Sequence, residues 1–191
     1  MFFLNKRSAI LAAVLTSSLS TGLATVTAYA ASEDAVELEA RYTDPKIARV
    51  VHVANEQIVK RAKFAQKHAV NAALVEYVNG VITEHERFIT EFDAVLKKEK
   101  IRQWESATSL RLIGQGYHDL AMLYLAKGAE FDQRYLQQQI QSEQKLVDLL
   151  DGGIMASVQS PTVKDYLNSM RAELQQFIER ANALQVQLGL E

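Results

Sequence analysis

The chain has 191 residues and no cysteine, and its 21 basic and 23 acidic side chains give a formal net charge of -2 at pH 7. A balance this close to neutral argues against nucleic-acid binding, which favours strongly basic domains. The lack of cysteine excludes disulfide bonds, thiolate metal ligands, a cysteine nucleophile and lipid attachment at a cysteine.

Residues 1–30 have the features of a cleavable signal peptide. A positive start is followed by an apolar run with several serines and threonines, and then by the sequence Ala-Tyr-Ala ending at Ala30, a pattern that signal peptidase recognises. The rival interpretation is an uncleaved membrane anchor, since the run is nearly long enough to span a bilayer. The hydroxyl side chains and the Ala-x-Ala ending favour cleavage and export to the periplasm. The acidic residues 31–43 predict a flexible leader to the folded domain.

The folded domain is predicted over residues 44–189, and its first helix begins at Asp44. The Asp44 side chain is expected to accept from amides of the first turn, and the proline that follows it costs no hydrogen bond at the first helical position. Opposite the apolar face, a basic stripe consists of Lys60, Arg61, Lys63 and Lys67. The preferred interpretation of this stripe is a solvated face, since acidic residues outnumber basic ones in the chain. The alternative is a surface for anionic headgroups and other polyanions.

The second and fifth predicted helices have the clearest inward faces. The second begins after a cap at Asn71 and ends near Lys98. Its inward face is apolar except at one histidine and consists of Val75, Val78, Ile82, His85, Ile89, Phe92 and Leu96. The fifth helix begins after a cap at Ser160 and stops at Gly189. Its inward face consists of Val163, Leu167, Met170, Leu174, Phe177, Ala181, Leu184 and Leu188.

The third and fourth predicted helices lie between these two. The third follows the polar connection 99–105 and is ended by Lys127 and Gly128. Its inward stripe is expected to consist of Leu110, Ile113, Tyr117, Leu120 and Tyr124. The fourth begins near Phe131 and ends at two glycines, 152 and 153. Its inward face consists of Leu136, Ile140, Glu143, Val147 and Leu150.

No stretch alternates between apolar and polar residues over the length of a strand, so the sequence predicts an all-α fold. Four long helices and one shorter helix, joined by short connections, indicate an antiparallel four- to five-helix bundle. An apolar strip such as Met122 with Leu125, if exposed, is a candidate surface for self-association.

Two polar side chains, His85 and Glu143, fall on the predicted inward faces of the second and fourth helices. A buried charge without a partner is strongly destabilising, so we expect these two side chains to form a hydrogen bond with each other. Gln139 lies one helical turn before Glu143 and is expected to share that bond. The preferred interpretation is therefore a satisfied interior pair, with no catalytic residue and no cofactor.

A metal site is the alternative interpretation of the same residues, since carboxylates and histidines on facing helices build di-iron centres in bundles. Those centres use Glu-x-x-His pairs, and no histidine of this sequence completes one. His85 and Glu143 supply two ligands, and Glu84 is the candidate third for iron, manganese or zinc. Zinc catalysis usually takes three protein ligands and structural zinc four, so the interior pair is preferred over a metal.

Four segments spread over the chain resemble a known family. They are Asp44-Pro45-x-Ile47 through Asn55, Thr83-Glu84-His85 within 77–85, Gly128-Ala129-x-Phe131-Asp132-x-x-Tyr135, and Met170-Arg171 through Ala181. The chain is similar, through these segments, to a family of exported bacterial proteins, domain of unknown function 4142. The resemblance implies a ferritin-like helical bundle, and the activity of that family is unknown.

The same resemblance implies three interior histidines in the family, of which this chain retains His85 alone. Glu143 and Phe177 occupy the other two positions, and Glu84 stands where the family has an aspartate. The resemblance therefore does not carry metal chemistry over to this chain.

The sequence thus predicts an exported periplasmic bundle with a non-enzymatic binding or envelope-associated role. The candidate partners are a membrane surface, another component of the envelope and a second copy of the chain. The alternative is a ferritin-like metal-binding protein, or a degenerate metal-dependent oxidase that uses His85 and Glu143.

Overall fold

The computed structural model describes residues 42–190, which hold five long helices. Their bounds are α1 Asp44–Ala65, α2 Ala72–Lys98, α3 Ala107–Leu125, α4 Ala129–Leu149 and α5 Pro161–Leu188. A π-helical turn at Leu150–Ile154 and a short helix at Met155–Ser157 join α4 to α5. These described residues contain no strand, so the predicted all-α helical bundle is confirmed, while its finer ferritin-like class stays a prediction. The predicted signal peptide and nearly all of the predicted leader lie outside the described residues.

Contacts between side chains define the directions of the first two helices. Lys63 near the end of α1 pairs with Glu86 in the middle of α2. His52, earlier in α1, lies against Asp93, later in α2. The later residue of α1 therefore pairs with the earlier residue of α2, and the earlier residue of α1 with the later one. This order shows that α1 and α2 are antiparallel neighbours.

The last helix returns beside α2 and also packs against α4. The Tyr166 hydroxyl of α5 donates to the carbonyl of Phe88 at 2.7 Å, and Tyr77, a residue earlier in α2, contacts Phe177, a residue later in α5. These contacts run in opposite directions along the two helices, so α2 and α5 are antiparallel. α3 packs against α1 and α4, and its contacts with α1 are parallel, since Arg49 meets Glu105 and Phe64 meets Tyr124.

The predicted inward face of α5 is buried from Val163 to Leu184, and Leu188 is half-buried. The predicted face of α2 needs a correction. Its members Val75, Ile82 and Ile89 are only half-buried. The buried residues of α2 are Leu74, Val78, Val81, His85, Phe88, Phe92 and Leu96. The reason is that α2 packs between α1 and α5. The side chains that face these two helices are buried, and they do not coincide with the most apolar strip of α2.

The predicted helix starts are confirmed at Asn71 and Ser160, whose side chains accept from backbone amides of the first turns of α2 and α5. Asp44 has a different role from the predicted one. Its carboxylate accepts from the backbone amides of Gln159 at 2.8 Å and Ser160 at 3.0 Å, instead of from its own helix. Asp44 therefore joins the start of α1 to the start of α5.

The orientation of α3 differs from the prediction. Leu110, Tyr117 and Tyr124, predicted to face the core, are 58%, 59% and 74% exposed. The buried residues are instead Thr108, Ser109, Gly116, Asp119 and Leu123. Gly116 allows this face to approach Gln57 of α1 closely, because a side chain at position 116 would overlap Gln57. α3 thus turns a small and polar face inward and its apolar stripe outward.

The end of α3 also lies earlier than predicted. The helix ends at Leu125, and Gly128, predicted to end it, precedes the first residue of α4 with a positive φ of 57°. Within residues 42–190, none of the helices is both long enough and apolar enough to span a bilayer.

Candidate functional site

The interior of the bundle contains a polar cluster centred on His85 of α2. His85 is fully buried, and so are Glu143 and Gln139 of α4. Nε2 of His85 lies 2.9 Å from Oε1 of Glu143, and Nε2 of Gln139 donates to the same oxygen at 2.6 Å. The structure therefore brings together all three residues that the sequence placed in the interior.

Asn55 of α1 completes the cluster, and sequence analysis missed it. Its Oδ1 lies 2.7 Å from Nδ1 of His85, and its Nδ2 donates to the carbonyl of Val51 at 2.8 Å. Because the bond to Val51 fixes the orientation of the amide, Oδ1 is the acceptor and Nδ1 of His85 is the donor. A signal was present in the sequence, since Asn55 lies four residues after Val51 and three before Ile58 on the apolar face of its helix.

Both ring nitrogens of His85 thus face oxygen atoms, and this limits where the protons lie. Either an imidazolium donates to the carboxylate of Glu143, or a neutral ring accepts from a protonated Glu143. The cluster has no net charge in both states. A neutral group of this kind avoids most of the desolvation cost that an unpaired buried charge would carry.

Aromatic rings surround the histidine. The His85 ring meets Phe88 edge-on at 5.3 Å and lies 5.6 Å from the ring of Phe177. Positions 85, 143 and 177, where the family resemblance implies three histidines, therefore meet in the core. In this chain they combine one histidine with one carboxylate and one phenyl ring, which is a poor donor set for a metal ion.

The proposed third metal ligand does not join the cluster. Glu84 is half-buried, and its carboxylate accepts from Nε of Arg87 at 2.9 Å. Within residues 42–190, no three His, Asp or Glu side chains come close enough to hold a metal ion. The geometry therefore gives the metal alternative no support.

A second interior pair links α1 to α3. Arg61, predicted on the exposed basic stripe, is only 3% exposed, and its Nη1 lies 3.6 Å from Oδ2 of Asp119. Burial lowers the pKa of Arg61, and the nearby Asp119 carboxylate opposes that shift. The prediction for Arg61 was wrong because Ile58 and Ala65, three residues before it and four after it, place its side chain on the buried face of α1.

The other members of the basic stripe are exposed and have different surroundings. Lys63 pairs with Glu86 at 2.6 Å. The ammonium of Lys60 lies over the ring of Tyr117, 4.5 Å from its centre. Lys67, in the turn after α1, is exposed. Neither Lys60 nor Lys67 forms an ion pair with a carboxylate in the described part of the chain.

A shallow groove of about 770 Å³ runs beside this stripe between α1, α2 and α3. Its lining is mixed. Arg49, Lys60 and Lys63 contribute positive charge and Glu56 and Glu86 negative charge, while Ile89, Ile113 and Tyr117 contribute apolar surface. A groove of this size and composition is large enough to admit a small amphipathic group. The interior cluster around His85 does not line this groove.

Comparison with known proteins agrees with the resemblance found in the sequence. The family model described as "Domain of unknown function (DUF4142)" matches residues 27–184. This confirms the family that the spaced segments indicated. No curated protein matches the chain.

One solved structure has a similar fold. It is a crystal structure from Streptomyces coelicolor described as "putative secreted protein DUF305", and the two chains superpose with a TM-score of 0.64. The match covers 76% of this chain and 93% of the other, at 14% sequence identity. An identity this low establishes a shared helical-bundle fold and carries no activity from one protein to the other.

Proposed function

Because the chain belongs to the DUF4142 family, a domain of unknown function, we propose a function from its own geometry: it is an exported, non-enzymatic protein that binds the anionic surface of the bacterial envelope. Export is supported by the signal-like residues 1–30 and by the secreted description of the structural neighbour. The candidate contact surface is the basic side of α1 together with the adjoining groove.

The interior cluster supports a non-enzymatic role. His85 and Glu143 are fully buried, and each is already hydrogen-bonded to other side chains of the core. A general acid or base has to come within hydrogen-bond distance of its substrate, and a substrate would have to open the bundle to do so. The cluster therefore acts in the packing of α1, α2 and α4.

The observation that carries the proposal is the pair formed by Lys60 and Tyr117. An ammonium group without a carboxylate partner lies against an exposed tyrosine ring at the edge of a groove. Side chains with an apolar body and a polar tip are typical of membrane interfaces. Lys67 adds a second cation without an ion pair near the same end of α1.

Sedimentation with phospholipid vesicles tests this function. Vesicles of phosphatidylethanolamine and phosphatidylglycerol should carry the protein down, whereas vesicles of phosphatidylcholine alone should not. Added salt should weaken the binding, because it screens exposed charges. Since each basic residue near an anionic surface contributes about 1 kcal/mol, the double variant Lys60→Glu/Lys67→Glu should bind at least about tenfold more weakly.

The matched control is Lys145→Glu/Lys164→Glu, which changes the net charge equally at exposed positions of α4 and α5. It should retain most of the binding if the contact surface is on α1. If both double variants lose vesicle binding equally, the effect is due to net charge alone and the contact surface on α1 is refuted. If the wild type does not sediment with anionic vesicles, the lipid surface is refuted as the partner.

A further inference from the structure

Helix α3 carries an exposed row of residues with coiled-coil spacing. Its members follow one another at alternating steps of three and four residues, and every one is exposed: Ala107, Leu110, Gly114, Tyr117, Ala121 and Tyr124. Such spacing is the pattern by which one helix packs side chains between those of a facing helix. α1 contacts one edge of this row, where Lys60 lies over the ring of Tyr117 and the ring of Phe64 lies 6.3 Å from that of Tyr124. More than half of each tyrosine nevertheless stays exposed, so the partner that this pattern indicates lies outside the described domain. We call these six residues the α3 seam.

The α3 seam alternates small and large residues, and this order is complementary to itself. If a second α3 lies antiparallel across a two-fold axis between residues 115 and 116, Leu110 faces Ala121 and Gly114 faces Tyr117. Ala107 faces Tyr124 in the same register. Every large side chain then meets a small one, as close packing of two helices requires. A parallel pair would instead set Tyr117 against Tyr117 and leave a gap between the two glycines.

Gly114 is an independent sign of close approach from outside. It lies inside a helix, where glycine is less favourable than alanine, yet a side chain at this position would meet no other atom of the domain within 4 Å. Gly116 differs, because a side chain there would overlap Gln57. The packing of the single domain therefore explains Gly116, and a facing helix explains Gly114.

The exposed area is close to what a dimer needs. Leu110, Tyr117 and Tyr124 are 58%, 59% and 74% exposed, and the neighbouring Leu125 is 72% exposed. Together with the small residues between them, these side chains present on the order of 600 Å² per copy, against roughly 800 Å² in a standard interface. The patch is as large as the largest found on typical monomers.

The charges beside the α3 seam are compatible with a second copy. The acidic residue of α3, Asp119, is buried against Arg61 and does not reach the seam. Two cations flank the seam: Lys60 of α1, whose ammonium lies over the ring of Tyr117, and Arg111 of α3, which the antiparallel register places level with Leu120 of the second copy. The two arginines are then separated by about 13 Å along the axis, so they do not repel strongly in water.

From these observations we infer that α3 is the contact surface of a symmetric dimer, in which a second copy of this chain lays its own α3 antiparallel along the seam. The inference goes beyond lipid binding and does not rest on it.

Engineered cysteines test the register directly, because the chain has no cysteine of its own. In the antiparallel dimer, residue 110 of one copy faces residue 121 of the other, whereas within one helix the two positions are about 16 Å apart, too far for a disulfide. Mild oxidation of Leu110→Cys/Ala121→Cys should therefore give a covalent dimer. Leu110→Cys alone and Ala121→Cys alone should remain monomers under denaturing conditions. Crosslinking of the single variants as efficiently as the double one would overturn the register.

Light scattering over a range of protein concentrations tests the interface itself. Gly114→Glu adds a charge where the seam is tightest and has open space in the single domain, so the fold should be retained while the dimer dissociation constant rises at least about tenfold. Val186→Glu, at a 63% exposed position of α5, is the matched control and should leave the constant within about twofold. Circular dichroism should give the same helix content for both variants.

Other occupants of the seam predict different results. A monomer at every concentration would refute the dimer. A Gly114→Glu variant that still dimerises like the wild type would refute the seam as the dimer contact. If that variant also no longer sedimented with anionic vesicles, the seam would be assigned to the membrane. Loss of the dimer with vesicle binding intact would support the inference while leaving the lipid proposal standing.

Discussion

His85 is accommodated in the core because each of its ring nitrogens has a partner. Asn55 accepts on one side at 2.7 Å, and Glu143 lies 2.9 Å away on the other. Removing one member of a buried hydrogen-bonded pair is strongly destabilising, since the other polar side chain stays in the core without a partner. The cluster therefore links the stability of three helices.

At the residue scale, we expect His85→Ala and Glu143→Ala each to lower the free energy of unfolding by about 3–5 kcal/mol. The double variant should lose less than the sum, with a coupling on the order of 1–3 kcal/mol, because it leaves neither residue of the pair buried without the other. Urea denaturation of the four proteins measures this cycle.

His118→Ala is the control for that cycle, since the His118 side chain is 68% exposed and its removal should change stability by less than about 0.5 kcal/mol. Strict additivity of the two core substitutions would contradict a direct bond between His85 and Glu143.

The sequence was sufficient to find His85 and Glu143 because both are polar residues among large apolar ones. Asn55 and Arg61 were harder to find, although they also have the spacing of the buried face. In α1 the neighbouring residues of the buried face include several alanines, which give a weak apolar signal, and Arg61 belongs to a run of cations that suggests solvent. Three-dimensional packing, rather than residue type, decides such positions.

At the scale of the helix, α3 illustrates what an amphipathic pattern leaves undetermined. Periodicity identified the helix and its apolar stripe, but it does not say which neighbour covers that stripe. The contacts of Asp119 with Arg61 and of Gly116 with Gln57 turn the opposite face toward α1. The prediction was therefore right about the existence of the helix and wrong about its rotation.

Glu105 anchors the start of α3, and its effect on stability should depend on pH. Its carboxylate accepts hydrogen bonds from the hydroxyl of Ser109 and from the guanidinium of Arg49. These bonds, with that of Ser109 as the larger cause, hold the pKa of Glu105 below the ordinary value of 4.5. A pKa that is lower in the folded state means that the stabilisation is present above the unfolded value and is lost as the pH falls through the folded value. The anchor should therefore weaken below about pH 4.5.

The test compares the melting temperatures of the wild type and Glu105→Gln between about pH 7 and pH 3. We expect the variant to be less stable at neutral pH, by less than about 1 kcal/mol because the pair is exposed. The difference should shrink toward the acid end. Glu179→Gln, an exposed position on α5, is the control and should follow the wild type throughout. A difference in melting temperature between the wild type and Glu105→Gln that stays constant with pH would refute the role given to Glu105.

At the scale of the whole molecule, the bundle was predictable because its helix ends carry clear signals. Asn71 and Ser160 cap α2 and α5, and Gly189 ends α5 in a left-handed conformation with φ of 63°. Those signals bound α2 and α5, and the other three helices follow mainly from their apolar periods. The relative rotation of the helices was not predictable, since it depends on which pairs pack most closely.

Export also belongs to this scale, and the proposed cleavage after Ala30 can be measured. Intact-mass spectrometry of the protein from a periplasmic fraction should give the mass of a chain that begins at Ala31. Ala28→Asp/Ala30→Asp should block processing, because signal peptidase requires small residues at these positions. Recovery of the unprocessed wild-type chain from the membrane fraction would instead support an uncleaved anchor.

The bond from Asp44 to the amides of Gln159 and Ser160 has a consequence for the order of folding. It joins positions more than a hundred residues apart, so the Asp44 carboxylate cannot make these two bonds until nearly the whole polypeptide has been synthesised. Contacts this distant in sequence delay completion of a fold. If the protein is exported as proposed, this delay is useful, because an incompletely folded chain can still pass through a translocation channel.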